Sequence, residues 1–210
     1  KSKNHEVIYI RGNAVVIATG GYSANNALCR KFNSEISALM PSTANPGGRY
    51  LDGAWGDALE FTKPFHAATV DLDKIQKICF LGGRLVDYTG ADIYLNKNGL
   101  RFVNEGASHG DVLVELLKQP QRAMWVITDS QSKKGLSLEN KLADGAVKKF
   151  DSLRQVAAFI GCPAETLEET VTRYNDFVLK GADKDFGKKV MLQTFSYPPF
   201  YVGQDRVCVH

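Results

Sequence analysis

An α+β fold is what this sequence predicts, and three observations carry the prediction. Short β-branched runs, EVIYI at 6–10, AVVIA at 14–18 and AMWVIT at 123–128, read as strands. Two consecutive stretches late in the chain, 151–160 and 164–180, repeat apolar residues at helical spacing. Strands and helices do not alternate as they would in a parallel βα array, which leaves α+β with an interrupted domain pattern.

The elements follow in order. The runs at 6–10 and 14–18 are separated by RGN and read as two strands joined by a tight turn. The second ends in Thr19, Gly20 and Gly21 and leads into a helical stretch at 24–32. A strand running into a glycine turn is where α/β sheets place ligands. Residues 41–57, with two prolines and four glycines, read as loop, and 58–65 as a short helix interrupted by Pro64. Residues 92–103 predict a hairpin with Asn98 and Gly99 at its turn, and 111–117 a helix that stops before Pro120. Asp151 is placed to cap a helix carrying Leu153, Val156, Ala157 and Ile160, which Gly161 ends. The last helix puts Leu167, Val171, Tyr174 and Val178 on one stripe and ends at Gly181. Both helices read as core-packing elements.

Composition narrows the function. With 44% hydrophobic and 23% charged residues the chain has the usual globular balance. Its longest apolar runs are about five residues, against roughly 20 needed to cross a bilayer, so no transmembrane segment is expected. The chain reads as soluble, periplasmic or cytoplasmic. The net charge of +3 is spread without a basic block or an aromatic RNP-like motif, which argues against nucleic acid. Cys29, Cys79, Cys162 and Cys208 lack CxxC spacing and read as buried or half-buried thiols. His5, His66, His109 and His210 lack metal spacing, so no metal site is expected. Neither GxGxxG nor GxxxxGK[ST] occurs. The turn at 15–21 is either a backbone donor to a phosphate or an ordinary glycine-rich strand end. His109, within the polar EGASHGD at 105–111, is either an acid–base residue at a strand end or a surface-loop histidine.

A series of motifs in order gives the pattern a sharper meaning: AVVIATGGYSANN at 14–26, TANPG at 43–47, GD at 56–57, VDLDKIQ at 70–76, GLRFVNE at 99–105 and RYNDF at 173–177. Together they resemble the flavoprotein subunits of the soluble fumarate reductases and urocanate reductase, relatives of succinate dehydrogenase flavoproteins and 3-ketosteroid dehydrogenases. The resemblance runs from about residue 7 to the end of the chain. It implies FAD as cofactor and a capping, or clamp, domain inserted into the FAD-binding domain. Residues 1–73 would be a middle segment of the FAD-binding domain, 74–198 the capping domain, and 199–210 the return strand. The family's amino-terminal glycine fingerprint and carboxy-terminal flavin segment have no counterpart here, so the expectation is a fragment that holds FAD poorly by itself.

The resemblance also implies chemistry. Family members pass a hydride from reduced flavin to the β-carbon of an α,β-unsaturated carboxylate, and a protein acid protonates the α-carbon. Electrons come from a haem domain, an FMN domain or quinol. In fumarate reductases the proton donor is an arginine, and His109 falls on its place. Asp87 or Tyr88 would stand in for the relay beside it, and His210 falls on a histidine pair that binds the substrate carboxylate. Ala18, Thr19, Gly20, Gly21, Asn45, Gly56 and Asp57 match flavin-contacting stretches. KIC at 77–79 replaces the family's His-Pro-Thr, which makes fumarate itself a doubtful substrate. Two alternatives stay open: a non-catalytic capping module, and a C–C dehydrogenase of the ketosteroid type.

Overall fold

The computed structural model describes residues 9–44, 53–81, 85–86 and 88–210. Asp87, Asn45 and the first three residues of the 6–10 run lie outside them. The centre is a four-stranded antiparallel sheet in the order β2 (Ile93–Leu95), β3 (Ala123–Thr128), β5 (Phe200–Arg206) and β4 (Val147–Phe150). A second sheet pairs β1 (Lys77–Ile78) with β6 (Cys208–Val209), Lys77 opposite Val209 and Ile78 opposite Cys208.

Alternation along the strands builds a core on each face of the larger sheet, because successive strand side chains point to opposite sides. Ile93, Leu95, Ile127, Phe200 and Val202 face one way and meet α5 (Leu153–Ile160) and α6 (Ala164–Lys180) through Val156, Ala157, Leu167, Val171 and Tyr174. Tyr94, Met124, Val126 and Val147 face the other way. There they join Val112 and Leu116 of α3 (His109–Leu117), Cys29 of α1 (Asn26–Phe32), Ile36, Met40, Cys79 and Val209. The apolar stripe predicted on α6 is the buried one, with Phe177 added to it.

Several local expectations change. The run at 14–18 is extended backbone without strand pairing, and Val15 and Val16 are 87% and 89% exposed. Tyr9 and Ile10 are likewise exposed and unpaired. A strand needs neighbours for its backbone groups, and among the described residues this run has none. The 92–103 hairpin keeps its turn, Gly99 sitting at φ +79, but the second arm is reduced to a bridge between Arg101 and Leu95. Arg101 instead turns inward to a charged cluster. Ser152, not Asp151, caps α5: its hydroxyl accepts from the Gln155 N–H while the Gln155 side chain accepts from the Asp151 N–H at 2.8 Å. The segment from residue 200, expected as a return strand, runs through the interior of the four-stranded sheet before its last residues pair with β1. The short helix near 58–65 is α2 (Asp57–Thr62), tightening into a 3-10 turn at Lys63–Phe65 where Pro64 removes a donor.

Candidate active site

His109 reaches its position through a chain of local constraints. Arg101 and Glu105 form a buried bidentate pair, at 2.7 Å from both Nε and Nη2, and the same guanidinium reaches Asp183 at 2.9 Å. Lys188, fully buried like Glu105, closes the cluster 3.3 Å from that carboxylate and donates to the Asp92 carbonyl. Two cations and two carboxylates thus balance inside the protein, as buried charge requires. Burial alone would raise the Asp183 carboxyl, but the Arg101 guanidinium and the Asp185 and Phe186 amides outweigh it and hold it below the usual carboxylate range. With Glu105 pinned, the chain turns at once: Asn104 Oδ1 accepts from the Gly106 N–H at 2.8 Å. Ser108 then caps α3, accepting from the Asp111 N–H and donating to its carboxylate at 2.7 Å. His109 is therefore the first residue of α3, with its side chain exposed.

Its ring contact is with Phe80, edge to face at 5.1 Å, and Phe80 in turn meets the buried Tyr94 at 6.1 Å. Among the described residues the imidazole makes no hydrogen bond and no ion pair. Below it, the Cys79 thiol donates to the His109 carbonyl at 3.8 Å, and Cys208 donates to the carbonyls of Ile78 and Phe80. Burial, with smaller contributions from Asp205 and Cys79, pushes the Cys208 thiol up to about 12. The Cys208 thiol is thus a neutral packing group, and Cys79 is buried beside it in the core.

Strand β1 touches α3 and pairs with β6, which runs directly into His210. The His210 N–H donates to the Gln76 carbonyl at 3.1 Å, and its Nδ1 lies 2.8 Å from Thr43 Oγ1. His109 and His210 thus flank one short strand. Tyr88 does not join them: its hydroxyl accepts from the Lys133 N–H at 2.8 Å and makes no hydrogen bond to His109. Thr43 had no assigned role in the sequence; only its place at the head of the TANPG motif marked it.

The glycine turn and the second loop come together. The Gly56 N–H donates to the Gly21 carbonyl at 3.1 Å, and the Ala24 N–H to the Ala54 carbonyl at 3.0 Å. Gly56, at φ +94, is buried, and a Cβ there would lie 2.6 Å from Leu28 Cδ2 and 3.0 Å from Tyr22 Cβ. Only glycine allows this approach. Ala18, Thr19, Gly20, Gly21 and Asp57 are exposed, and a Cβ on Gly21 would meet nothing within 4 Å. Among the described residues, no hydrogen bond uses the amides of Thr19, Gly20 or Gly21.

Residues 1–205 match the family model described as FAD binding domain, and the chain belongs to that family of FAD-binding flavoproteins. Fumarate reductase (cytochrome) of Shewanella frigidimarina is 28% identical over 209 residues, covering 96% of this chain and 35% of that protein. NADH:acrylate oxidoreductase of Vibrio harveyi is 27% identical, over 98% of this chain and 21% of its own length. The open conformation of a flavocytochrome c3 fumarate reductase superposes with a TM-score of 0.69 at 25% identity, over 94% of this chain and 35% of that one. The chain therefore spans about a third or less of the length of these two curated relatives. Among the described residues no helix is long and apolar enough to cross a membrane.

Proposed function

We propose that this chain forms one wall of the active site of an FAD-dependent oxidoreductase that reduces the C=C bond of an α,β-unsaturated carboxylate. Residues 74–198 act as the capping unit, with β5 of the 199–210 segment completing its sheet, and 1–73 contribute to the FAD-binding side. The observation that carries the reading is the placement of His109: exposed at the start of α3, next to a buried ion-pair anchor, on a helix packed against β1, whose partner strand β6 runs into His210.

The residues present fit the cofactor. Among the described residues the amides of the exposed Thr19, Gly20 and Gly21 are unclaimed donors of the kind that suits a phosphate group, and open space adjoins Gly21. Buried Gly56 holds that turn in place and exposed Asp57 follows it; Asn45, outside the described residues, is assigned to the cofactor by the family motif alone. Bound and reduced, FAD would supply a hydride, which carries the electron pair, to the β-carbon of the substrate.

His109 gives the balancing proton to the α-carbon, so the alkene gains one hydride and one proton and no other group leaves. An imidazole changes protonation in the physiological range, whereas a guanidinium does not, which lets a histidine serve where relatives use arginine. With the Tyr88 hydroxyl engaged by Lys133, the orienting role falls to Asp87, which the family resemblance assigns and which lies outside the described residues. His210 holds the substrate carboxylate and draws charge away from the double bond, the kind of fixed electrostatic help that weighs heavily in such reactions. The substrate is a small unsaturated acid; fumarate and acrylate, named in the relatives' titles, are the first to test. A haem, FMN or quinol partner returns electrons to the flavin.

The test is His109→Ala in the full-length flavoprotein. Turnover should fall by about 10²–10⁴-fold while flavin content and flavin reduction stay unchanged. His109→Arg should abolish any basic limb of the rate near a histidine pKa. Unchanged turnover and pH profile in His109→Ala would remove the proton-donor assignment.

A further inference from the structure

We infer that Thr43 is a positioning residue for His210, fixing which ring nitrogen faces the substrate. The inference rests on the reading of His210 as the ligand of a substrate carboxylate, and it adds a residue to that site. The geometry is a clip around the end of the chain. The segment at 41–43 runs along one side of β6, where the Val209 N–H donates to the Pro41 carbonyl at 2.9 Å and Ser42 bridges Val209 in parallel. On the other side β1 holds β6 in register, and the His210 N–H reaches the Gln76 carbonyl. The His210 backbone is therefore clamped between two segments before its side chain is considered.

Thr43 then holds the ring. Its own N–H donates to the Val209 carbonyl at 2.9 Å, which fixes the Thr43 backbone against the residue before the histidine. Its hydroxyl lies 3.4 Å from the same carbonyl, as donor, and 2.8 Å from His210 Nδ1. A hydroxyl has one proton and two acceptor positions, and a carbonyl oxygen has two lone pairs. With the hydroxyl proton directed at Val209, Thr43 Oγ1 accepts from Nδ1–H. The partner of one ring nitrogen decides the state of the other. Nε2 is thus left as the free nitrogen, on the side away from Thr43. In the imidazolium form both N–H groups have a use: Nδ1–H on Thr43, Nε2–H on a carboxylate. A charge-assisted bond of that kind is about twice as strong as a neutral one. Without Thr43 the exposed ring would have to be ordered by the substrate itself, at a cost in affinity.

The closing experiment measures binding apart from turnover. The full-length oxidised protein is titrated with propionate and with succinate, the saturated counterparts of acrylate and fumarate, by calorimetry. Thr43→Val, which keeps the shape and the backbone bond but loses the hydroxyl, should weaken the tighter-binding acid roughly three- to tenfold. Thr43→Ser, which keeps the hydroxyl, should return affinity to within about twofold of the parent. In turnover assays Thr43→Val should raise KM with little change in kcat, since the bond is present in ground and transition states alike. Equal affinity in Thr43→Val and parent, with His210→Ala clearly weakened, would overturn the role of Thr43 and leave the site reading intact. Unchanged affinity in His210→Ala, or no measurable binding of either acid to the parent, would overturn the site reading itself. Failure of Thr43→Ser to recover what Thr43→Val loses would make Thr43 a shape-filling residue and refute the inference.

Discussion

Two apolar, β-branched runs of similar length meet opposite fates in this molecule. AMWVIT at 123–128 becomes β3, hydrogen-bonded on both edges by β2 and β5, with Met124, Val126 and Ile127 fully buried. AVVIA at 14–18 stays extended but unpaired, with Val15 and Val16 almost wholly exposed. Local propensity is the same in kind for both. What differs is whether the described residues supply neighbouring strands, since strand preference expresses packing and pairing more than backbone preference. The same contrast separates the two halves of the candidate site. His109 and His210 stand on buried, ion-paired and strand-clamped supports, while the glycine turn at 18–21 is tied, among the described residues, by the Gly56 N–H to the Gly21 carbonyl.

Substitution can break or sharpen this contrast. The largest effect is expected from Val126→Asp, which puts a carboxylate without a partner at the centre of the sheet. It should cost more than about 4 kcal/mol, enough to unfold the chain, as read by far-UV circular dichroism. Next is Glu105→Ala, which leaves Arg101 and Lys188 buried with less compensating charge. A loss of about 3–5 kcal/mol in urea unfolding is expected, and a loss below about 1 kcal/mol would mean that the cluster is wetter than its burial implies.

Acid titration probes the same cluster. The folded-state pKa of Asp183 is depressed, so its contribution is present above the ordinary carboxylate pKa and is lost as pH falls through the folded value. Unfolding free energy should therefore drop as pH is lowered below about 4, with a shallower drop in Asp183→Asn. A smaller effect is expected at Gly56→Ala, where a positive φ and a close contact combine to cost about 1–3 kcal/mol and loosen the glycine turn. The smallest belongs to Val16→Asp in this 210-residue chain: unfolding free energy should stay within about 0.5 kcal/mol of the parent. A large loss there would show that the 14–18 run is packed after all, and the contrast with β3 would disappear.

Much of the helical architecture was legible because helices satisfy their backbone locally. The α6 stripe, the left-handed caps at Gly161 and Gly181 and the turn at Gly99 all follow from spacing and glycine placement. Strands were less legible. VKKF at 147–150 became an edge strand although its two lysines hide the alternation, and lysine on an edge is a usual guard against unwanted pairing. The central position of 200–206 was equally hidden, since it is set by pairings with residues about 50 to 83 positions away along the chain. In the candidate site, the place of His109 after GLRFVNE was readable. That Arg101 and Glu105 turn inward to Asp183 and Lys188, 78 or more residues downstream, was not.

By itself, then, the sequence determined the two long late helices, their glycine C-caps, the turn at Gly99, the flavoprotein resemblance and the two histidines worth testing. These rest on residues near one another along the chain, or on motifs kept in order. Only the tertiary structure decided which apolar runs become strands, which charges balance in the interior, and that Thr43 meets His210 across 167 positions of sequence. The physical reason is that pairing, burial and charge compensation each need a partner, and a sequence names a distant partner only once the chain has folded.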